Sequence, residues 1–199
     1  MTAPTMPDGG YRLILADPPW VYRNGGNGRA AAHYDVMGID LIAAFPVKRI
    51  AHDNGILIMW ATWPHLAGAL MVMDLWGFEY VTGFPWVKLN RAPVYDLFND
   101  MRIRPSWGTG AWVRGASEPI LIGRRGKARP PQHHHFMGLI SKRMEHSRKP
   151  DNIHEYCESL PGPYLEMFAR RPVNYHWHVW GNQAPDCAVL PGFEIFNNS

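Results

Sequence analysis

The chain has 199 residues, 46% of them hydrophobic and 19% charged, with a formal net charge of +3, which places it among ordinary globular domains with enough chain for one sizeable core. Its two cysteines, Cys157 and Cys187, exclude a disulfide framework and a cysteine-rich zinc site and suit a reducing compartment. The longest apolar stretch, 56–78, is interrupted by Pro64, His65 and Asp74, which argues for a strand and a helix over a membrane span.

Residues 1–10, MTAPTMPDGG, carry neither a basic start nor an apolar stretch and are expected to be a disordered lead-in. The first strand is predicted over Tyr11–Ala16, where aliphatic residues run up to Asp17 and then stop at Pro18-Pro19, because two imino acids cannot continue a ladder. A glycine-rich NGGNG follows at 24–28 and suits a lid. A second strand, Gly55–Trp60, leads into a helix with Thr62 as its cap, Pro64 in its first turn, Leu66, Leu70 and Met73 on one stripe, and Gly77 as its stop. Further strands are predicted over Tyr80–Lys88, Glu118–Gly123, Tyr164–Phe168 and Trp177–Trp180, with a helix from Pro150 that places Ile153, Cys157 and Leu160 on one face and ends at Pro161-Gly162. Tryptophans 60, 63, 76 and 86 are expected mainly in the core. Alternation of this kind predicts an α/β domain over 11–185 with a mostly parallel sheet and helices on both faces, and leaves 186–199 as a tail. Sheets of that class place ligands beyond the carboxyl ends of their strands, where Asp17 falls.

Charge is unevenly spread. Between Met101 and Lys149 stand eleven Lys or Arg and two acids, Glu118 and Glu145, so the rest of the chain is net acidic. This basic stretch is interleaved with Trp107, Trp112 and the triplet His133–His135, and it covers two long polar segments, about 90–114 and 124–149, that read as binding loops. Basic and aromatic side chains on flexible backbone suit phosphates and unstacked bases. Three adjacent histidines cannot converge on one ion in extended or helical geometry, and without acidic or cysteine companions they give no metal site.

Asp17-Pro18-Pro19-Trp20 is the chemically distinctive quartet. The exocyclic amine of adenine is a poor nucleophile until its hydrogens are accepted by fixed oxygens, and a carboxylate with a proline-held carbonyl supplies two of these in rigid geometry. Asp17 and the Pro18 carbonyl fit those roles, and Trp20 is the flat surface expected to stack the base. The same residues also make an ordinary turn, and their position at a strand end followed by a glycine-rich loop favours the chemical reading.

YRLILADPPW, HYDVM, NGILIMWATWPHL, WGFEYVTGFPWVKLN, GTGAWVRGASEPILIGRRG, HSRKPDNIHEYCE, LEMFARRP and WGNQ occur in that order over residues 11–183, and in this the chain resembles the MT-A70 family of adenine N6-methyltransferases, of the compact bacterial and phage type. The resemblance implies a permuted Rossmann-like core, with the catalytic strand ahead of the cofactor strand, and S-adenosylmethionine as methyl donor. It further implies that Asp17, Pro18, Pro19 and Trp20 hold the target adenine, with Asp17 also near the donor's amino group. By the same resemblance Tyr34, Lys88, Asn90 and Glu118 line the target pocket, Lys149 reaches the donor's methionine end, and Arg170, Asn182 and Gln183 bind its ribose. Two departures stand out: Ala169-Arg170-Arg171-Pro172 follows LEMF where many methyltransferases have a glycine-rich turn, and only about ten residues precede Tyr11, where larger members contact the donor's adenine ring.

The expected activity is methyl transfer to adenine N6 in nucleic acid by direct in-line displacement, with the base flipped out or taken from a single strand. DNA is favoured over RNA by analogy with compact members. The alternatives are an RNA methyltransferase and a catalytically silent nucleic-acid-binding subunit, and retention of both Asp17 and Trp20 argues against the silent one. A cytoplasmic monomer or homodimer, with room for a protein partner, completes these expectations.

Overall fold

A computed structural model describes residues 3–21, 37–90, 94–95, 101–102, 105–106, 108, 112–131, 139–142, 149–184 and 186–193. Strand β1 (Tyr11–Ala16) stands between β2 (Ala51–Trp60) and β8 (Tyr164–Met167), and is parallel to both. On the far side of β8 lies β9 (Trp177–Trp180), also parallel. Beyond β2 come β6 (Ser117–Arg124), β3 (Glu79–Leu89) and β7 (Leu139–Lys142), giving the order β7-β3-β6-β2-β1-β8-β9. The sheet is mixed: β6 runs antiparallel to both its neighbours, while the remaining pairings are parallel. Two short segments, β4 (Val94–Tyr95) and β5 (Met101–Arg102), pair with each other apart from this sheet.

Side-chain alternation along β1 divides the core. Ile14 and Ala16 join the cluster that contains Ile42 of α1 (Ile39–Ala44), Val47 and Ile50 of α2 (Val47–Ile50), and Ala69, Val72 and Met73 of α3 (Leu66–Leu75). Leu13 and Leu15 join the opposite cluster, with Ile153 and Cys157 of α4 (Asn152–Glu158) and with Leu160. Leu13–Ala16 are at most 2% exposed, so each large aliphatic among them contributes about 1.5–3 kcal/mol of burial, and β1 is fixed from both faces. The carboxylate that follows it is thereby held on a rigid post.

Several boundaries differ from expectation for local reasons. The helix after β2 starts with a 3₁₀ turn over Trp63–His65, and Thr62 makes no side-chain capping bond because its hydroxyl pairs with His65 Nδ1 at 2.8 Å. Its end is as predicted: Gly77 adopts φ +83°, and the Gly77 and Phe78 amides bond the carbonyls of Asp74 and Met73, closing a Schellman motif. Helix α4 begins two residues after Pro150. The expected lead-in and tail are built into the fold where they are described: Val189 N–H donates to Pro4 O, Met6 packs on the core, and Ala188, Leu190 and Phe193 are buried. Phe193 meets Phe45 and Trp180, an aromatic cluster that 3.6- or 2-residue periodicity in so short a segment cannot reveal. Among the described residues no helix is long and apolar enough to cross a membrane.

Candidate active site

The carboxyl ends of β1, β2, β8 and β9 share one edge of the sheet because these strands are parallel, and the residues singled out from the sequence gather there from distant parts of the chain. Asp17 follows β1 directly, with Lys149 reaching across from the segment before α4. Lys149 Nζ lies 2.8 Å from both Oδ1 and Oδ2 of Asp17. The same ammonium is 3.7 Å from Glu118 Oε2 and 5.1 Å from the Trp60 ring centroid. Glu118 Oε1 pairs in turn with Lys88 Nζ, which lies 4.6 Å over the Trp86 ring. Two carboxylates and two ammonium groups thus alternate in a chain, with indole faces behind both lysines.

The two carboxyls are tuned in opposite directions. Burial pushes Asp17 above the ordinary aspartate range, and the nearby Lys149 charge offsets this only in part. For Glu118 burial also raises the carboxyl, but Lys149 and Lys88 together outweigh it and hold Glu118 below the usual glutamate range. Neighbouring carboxyls with separated proton affinities are an arrangement common in functional sites.

The quartet is rigid by construction. Pro18 O accepts the Trp20 N–H at 2.9 Å and Pro19 O accepts the Met37 N–H at 2.8 Å. The Pro18 carbonyl retains its second lone pair for another donor. Trp20 departs from expectation: it is 6% exposed, its Nε1–H donates to Trp60 O at 3.1 Å, and it stacks on His65 with ring centroids 5.9 Å apart. His65 Nε2 in turn donates to Val21 O at 2.6 Å. An indole so enclosed props the loop that carries Asp17 and offers little face to a base. Trp20→Phe leaves the Trp60 carbonyl without that donor, and is expected to lower stability by about 1–3 kcal/mol in chemical unfolding.

Sequence reasoning assigns Trp60, Trp63, Trp76 and Trp86 to the core. The structure buries three of them and leaves Trp63 53% exposed, with Nε1 donating to Ser117 Oγ at 3.2 Å. Pro64, directly after Trp63 and read as a helix-start residue, gave no hint of that exposure.

On the other side of β1, Arg170 follows β8, and Asn182 and Gln183 follow β9; all three are exposed at the same edge. Between them the backbones touch. Gly181 lies so close to the loop after β8 that a Cβ there would be 2.3 Å from Ala169 O and 2.6 Å from Ala169 N. Phe168, with φ +62°, occupies the left-handed turn that a glycine fills elsewhere, and is held by edge contacts to Phe45 and Trp180. Cys187 Sγ donates to Gly181 O at 3.1 Å and clasps the turn carrying Asn182 and Gln183. The glycine missing after LEMF is therefore matched by a strained phenylalanine and by Gly181 on the next strand, which no search for a glycine-rich turn would find.

Asn90 is half-buried just past β3 and stands outside the charge chain described above. Tyr34, Trp107 and His133–His135, with about half of the two basic loops, lie outside the described residues. Among the described residues no cluster of three metal-ligating side chains occurs.

A sequence model of the MT-A70 family matches residues 11–183. Over 92% of its length the chain is 28% identical to the type II methyltransferase M.MunI of Mycoplasma sp, of which it covers 82%. It is also 28% identical to the N(6)-adenosine-methyltransferase catalytic subunit METTL3 of Homo sapiens and to an N(6)-adenosine-methyltransferase MT-A70-like protein of Drosophila melanogaster. Those matches take in 92% and 88% of the chain but only 30% and 27% of the two eukaryotic proteins, so it spans less than a third of their length.

Proposed function

The chain belongs to the MT-A70 family, and on that footing we propose that it transfers a methyl group from S-adenosylmethionine to N6 of adenine in nucleic acid. The observation that carries this reading is the Asp17 carboxylate at the end of the interior strand β1, with both oxygens already engaged by an ammonium group. A carboxylate that accepts an ammonium so well suits the α-amino group of the donor, and Lys149, drawn aside, suits the donor's carboxylate. Arg170, Asn182 and Gln183, beyond the neighbouring strands β8 and β9, would hold its ribose. The donor supplies a methyl group made electrophilic by its sulfonium.

The protein's own contribution is positional and electrostatic. Asp17 and the second lone pair of Pro18 O accept hydrogen bonds from the two N6 hydrogens, which turns the nitrogen lone pair out of the ring; the methyl group would leave the donor's sulfur as a neutral thioether, and the surplus N6 proton would pass to the Asp17 carboxylate and on to solvent. Glu118 on β6 and Lys88 on β3 would line the target pocket, on the side of β1 away from the residues proposed for the ribose, with Lys149 between that pair and Asp17. In this arrangement β1 carries the acceptor and β8 the donor-binding loop, so the catalytic strand precedes the donor strand in the chain, a permuted order.

DNA is the polymer we favour, since the chain matches most of a compact type II methyltransferase and only a fraction of the larger relatives named for adenosine. The test is transfer of labelled methyl to matched single-stranded DNA, duplex DNA and RNA, followed by nucleoside mass spectrometry. N6-methyladenine formed mainly in DNA supports the reading in full; formation only in RNA overturns the polymer; and no transfer to any substrate overturns the reaction.

The close approach at Gly181 gives a sharper check of the donor side. Gly181→Ala forces a methyl group into backbone atoms of Ala169 and moves the turn bearing Asn182 and Gln183. Donor affinity measured by calorimetry is expected to fall about tenfold or more, the loss of one or two hydrogen bonds.

A further inference from the structure

Trp63 is an exposed aromatic side chain at this edge that the proposed reaction leaves unused. It follows the carboxyl end of β2, the strand beside β1, and is 53% exposed although the indole is the largest apolar side chain. Its orientation is not left to chance. Nε1 donates to Ser117 Oγ at 3.2 Å, and Pro64 stiffens the backbone directly after it. Ser117 is the immediate neighbour of Glu118, which is paired with Lys88 and lies 3.7 Å from Lys149, so the indole stands beside the charge chain that ends at Asp17.

Sheet order decides which ligand such a ring could meet. The donor-binding candidates Arg170, Asn182 and Gln183 follow β8 and β9, on one side of β1, whereas Trp63 follows β2, and Ser117, Glu118 and Lys88 lie on β6 and β3, on the other. A ring on the latter side serves the substrate. Trp20, the stacking surface expected from the sequence, is enclosed by Trp60 and His65 and leaves that task open. An indole fixed by its own N–H, with about half its surface exposed, loses little conformational freedom when a flat base settles on it.

Resting on the adenine-methyltransferase reading, we propose that Trp63 is a substrate-binding residue whose exposed indole stacks on a nucleobase of the strand that carries the target adenine. The excess of basic residues in 101–149 supplies charge for the phosphates, and the indole supplies a sequence-tolerant platform for a base that is already unstacked.

The test compares Trp63→Ala and Trp63→Phe with the unaltered protein on single-stranded oligonucleotides in which positions around the target adenine are made abasic one at a time. Trp63→Ala is expected to raise KM for the intact oligonucleotide about tenfold, the size of one lost base–aromatic stack, with kcat and donor affinity held. Trp63→Phe should recover most of that loss. At one position the abasic oligonucleotide should erase the difference between Trp63→Ala and the unaltered protein, since the stacked base is then already missing. An unchanged KM, a penalty equal on every abasic oligonucleotide, or a parallel fall in donor affinity would overturn the proposal. Anisotropy of a labelled oligonucleotide without donor reads the same stack, with a tenfold weakening expected for Trp63→Ala. If methyl transfer fails while that weakening is seen, the reaction falls and the stack stands; if transfer proceeds and Trp63→Ala binds normally, the stack alone falls.

Discussion

Asp17→Asn is expected to lower the rate of methyl transfer by about 10³-fold while the protein remains folded. The substitution is nearly isosteric, but the amide puts an NH2 group where one of the two acceptor oxygens stood, and it removes the charge that would anchor the donor's ammonium. Loss of a single preorganised hydrogen-bonding group at a reacting centre costs roughly 10²–10³ in rate, and two such capacities are proposed for Asp17. Stability should move little, because the ionised carboxylate is itself disfavoured by burial and Lys149 keeps Glu118 at 3.7 Å. A melting temperature within about 4 °C of the unaltered protein, together with the lost rate, separates a chemical role from a structural one.

The opposite displacements of Asp17 and Glu118 extend this to pH. Only the ionised Asp17 accepts fully at both oxygens and carries the charge proposed to hold the donor's ammonium, and its carboxyl is raised, so activity is expected to fall in acid at a pH above the ordinary aspartate range. In stability the sign is reversed: a raised carboxyl favours the fold when protonated, and that contribution is lost as pH rises through its folded value. Glu118, lowered in the fold, contributes stability above the ordinary glutamate value and loses it only as pH falls through its own depressed value. On mild acidification the rate therefore falls while both carboxyls still favour the folded state. Methyl-transfer rates and melting temperatures taken at the same pH values should diverge there, and activity should return on neutralisation.

Much of this architecture is legible in the sequence because its signals are local. Leu13-Ile-Leu-Ala16 against Pro18-Pro19 marks a strand and its end with no tertiary information, and the structure places β1 on the predicted residues. Gly77 marks its helix stop equally well, since a left-handed residue closing a Schellman motif has a steric cause within one turn. Helices α1 and α2, six and four residues long, leave too little periodicity to read. Their burial depends on the faces of other elements. The pairing of Lys149 with Asp17 spans 132 positions, and reading Lys149 as a donor contact came from family order without disclosing that it occupies Asp17. Trp20 and Trp63 show the limit most plainly: both are indoles next to prolines at strand ends, yet one is buried and the other half exposed. Only the arrival of His65 over Trp20, and of Ser117 beside Trp63, makes them different.

Lys149→Met should reveal which of two opposed effects governs donor binding. Lys149 Nζ sits on both Asp17 oxygens, so it occupies the place proposed for the donor's ammonium and must move before that group can bind. If holding Asp17 were its only task, deleting the ammonium would tighten donor binding. Against this, methionine leaves Asp17 and Glu118 without a cation between them; Asp17, already raised, is driven higher still, and less of it is ionised near neutrality. The charge-assisted bond proposed to the donor's carboxylate would be lost as well, about 1.5–3 kcal/mol or roughly ten- to a hundredfold in affinity. Two losses set against one gain predict weaker binding, measured by calorimetry, and an acid limb of the rate profile shifted to higher pH. Partial recovery of rate under alkaline conditions follows from re-ionising Asp17. A donor analogue that lacks the carboxylate should then bind the unaltered protein and Lys149→Met almost equally, whereas tighter binding of the intact donor to Lys149→Met would show that Lys149 acts as an occupant of Asp17 and not as a contact to the donor.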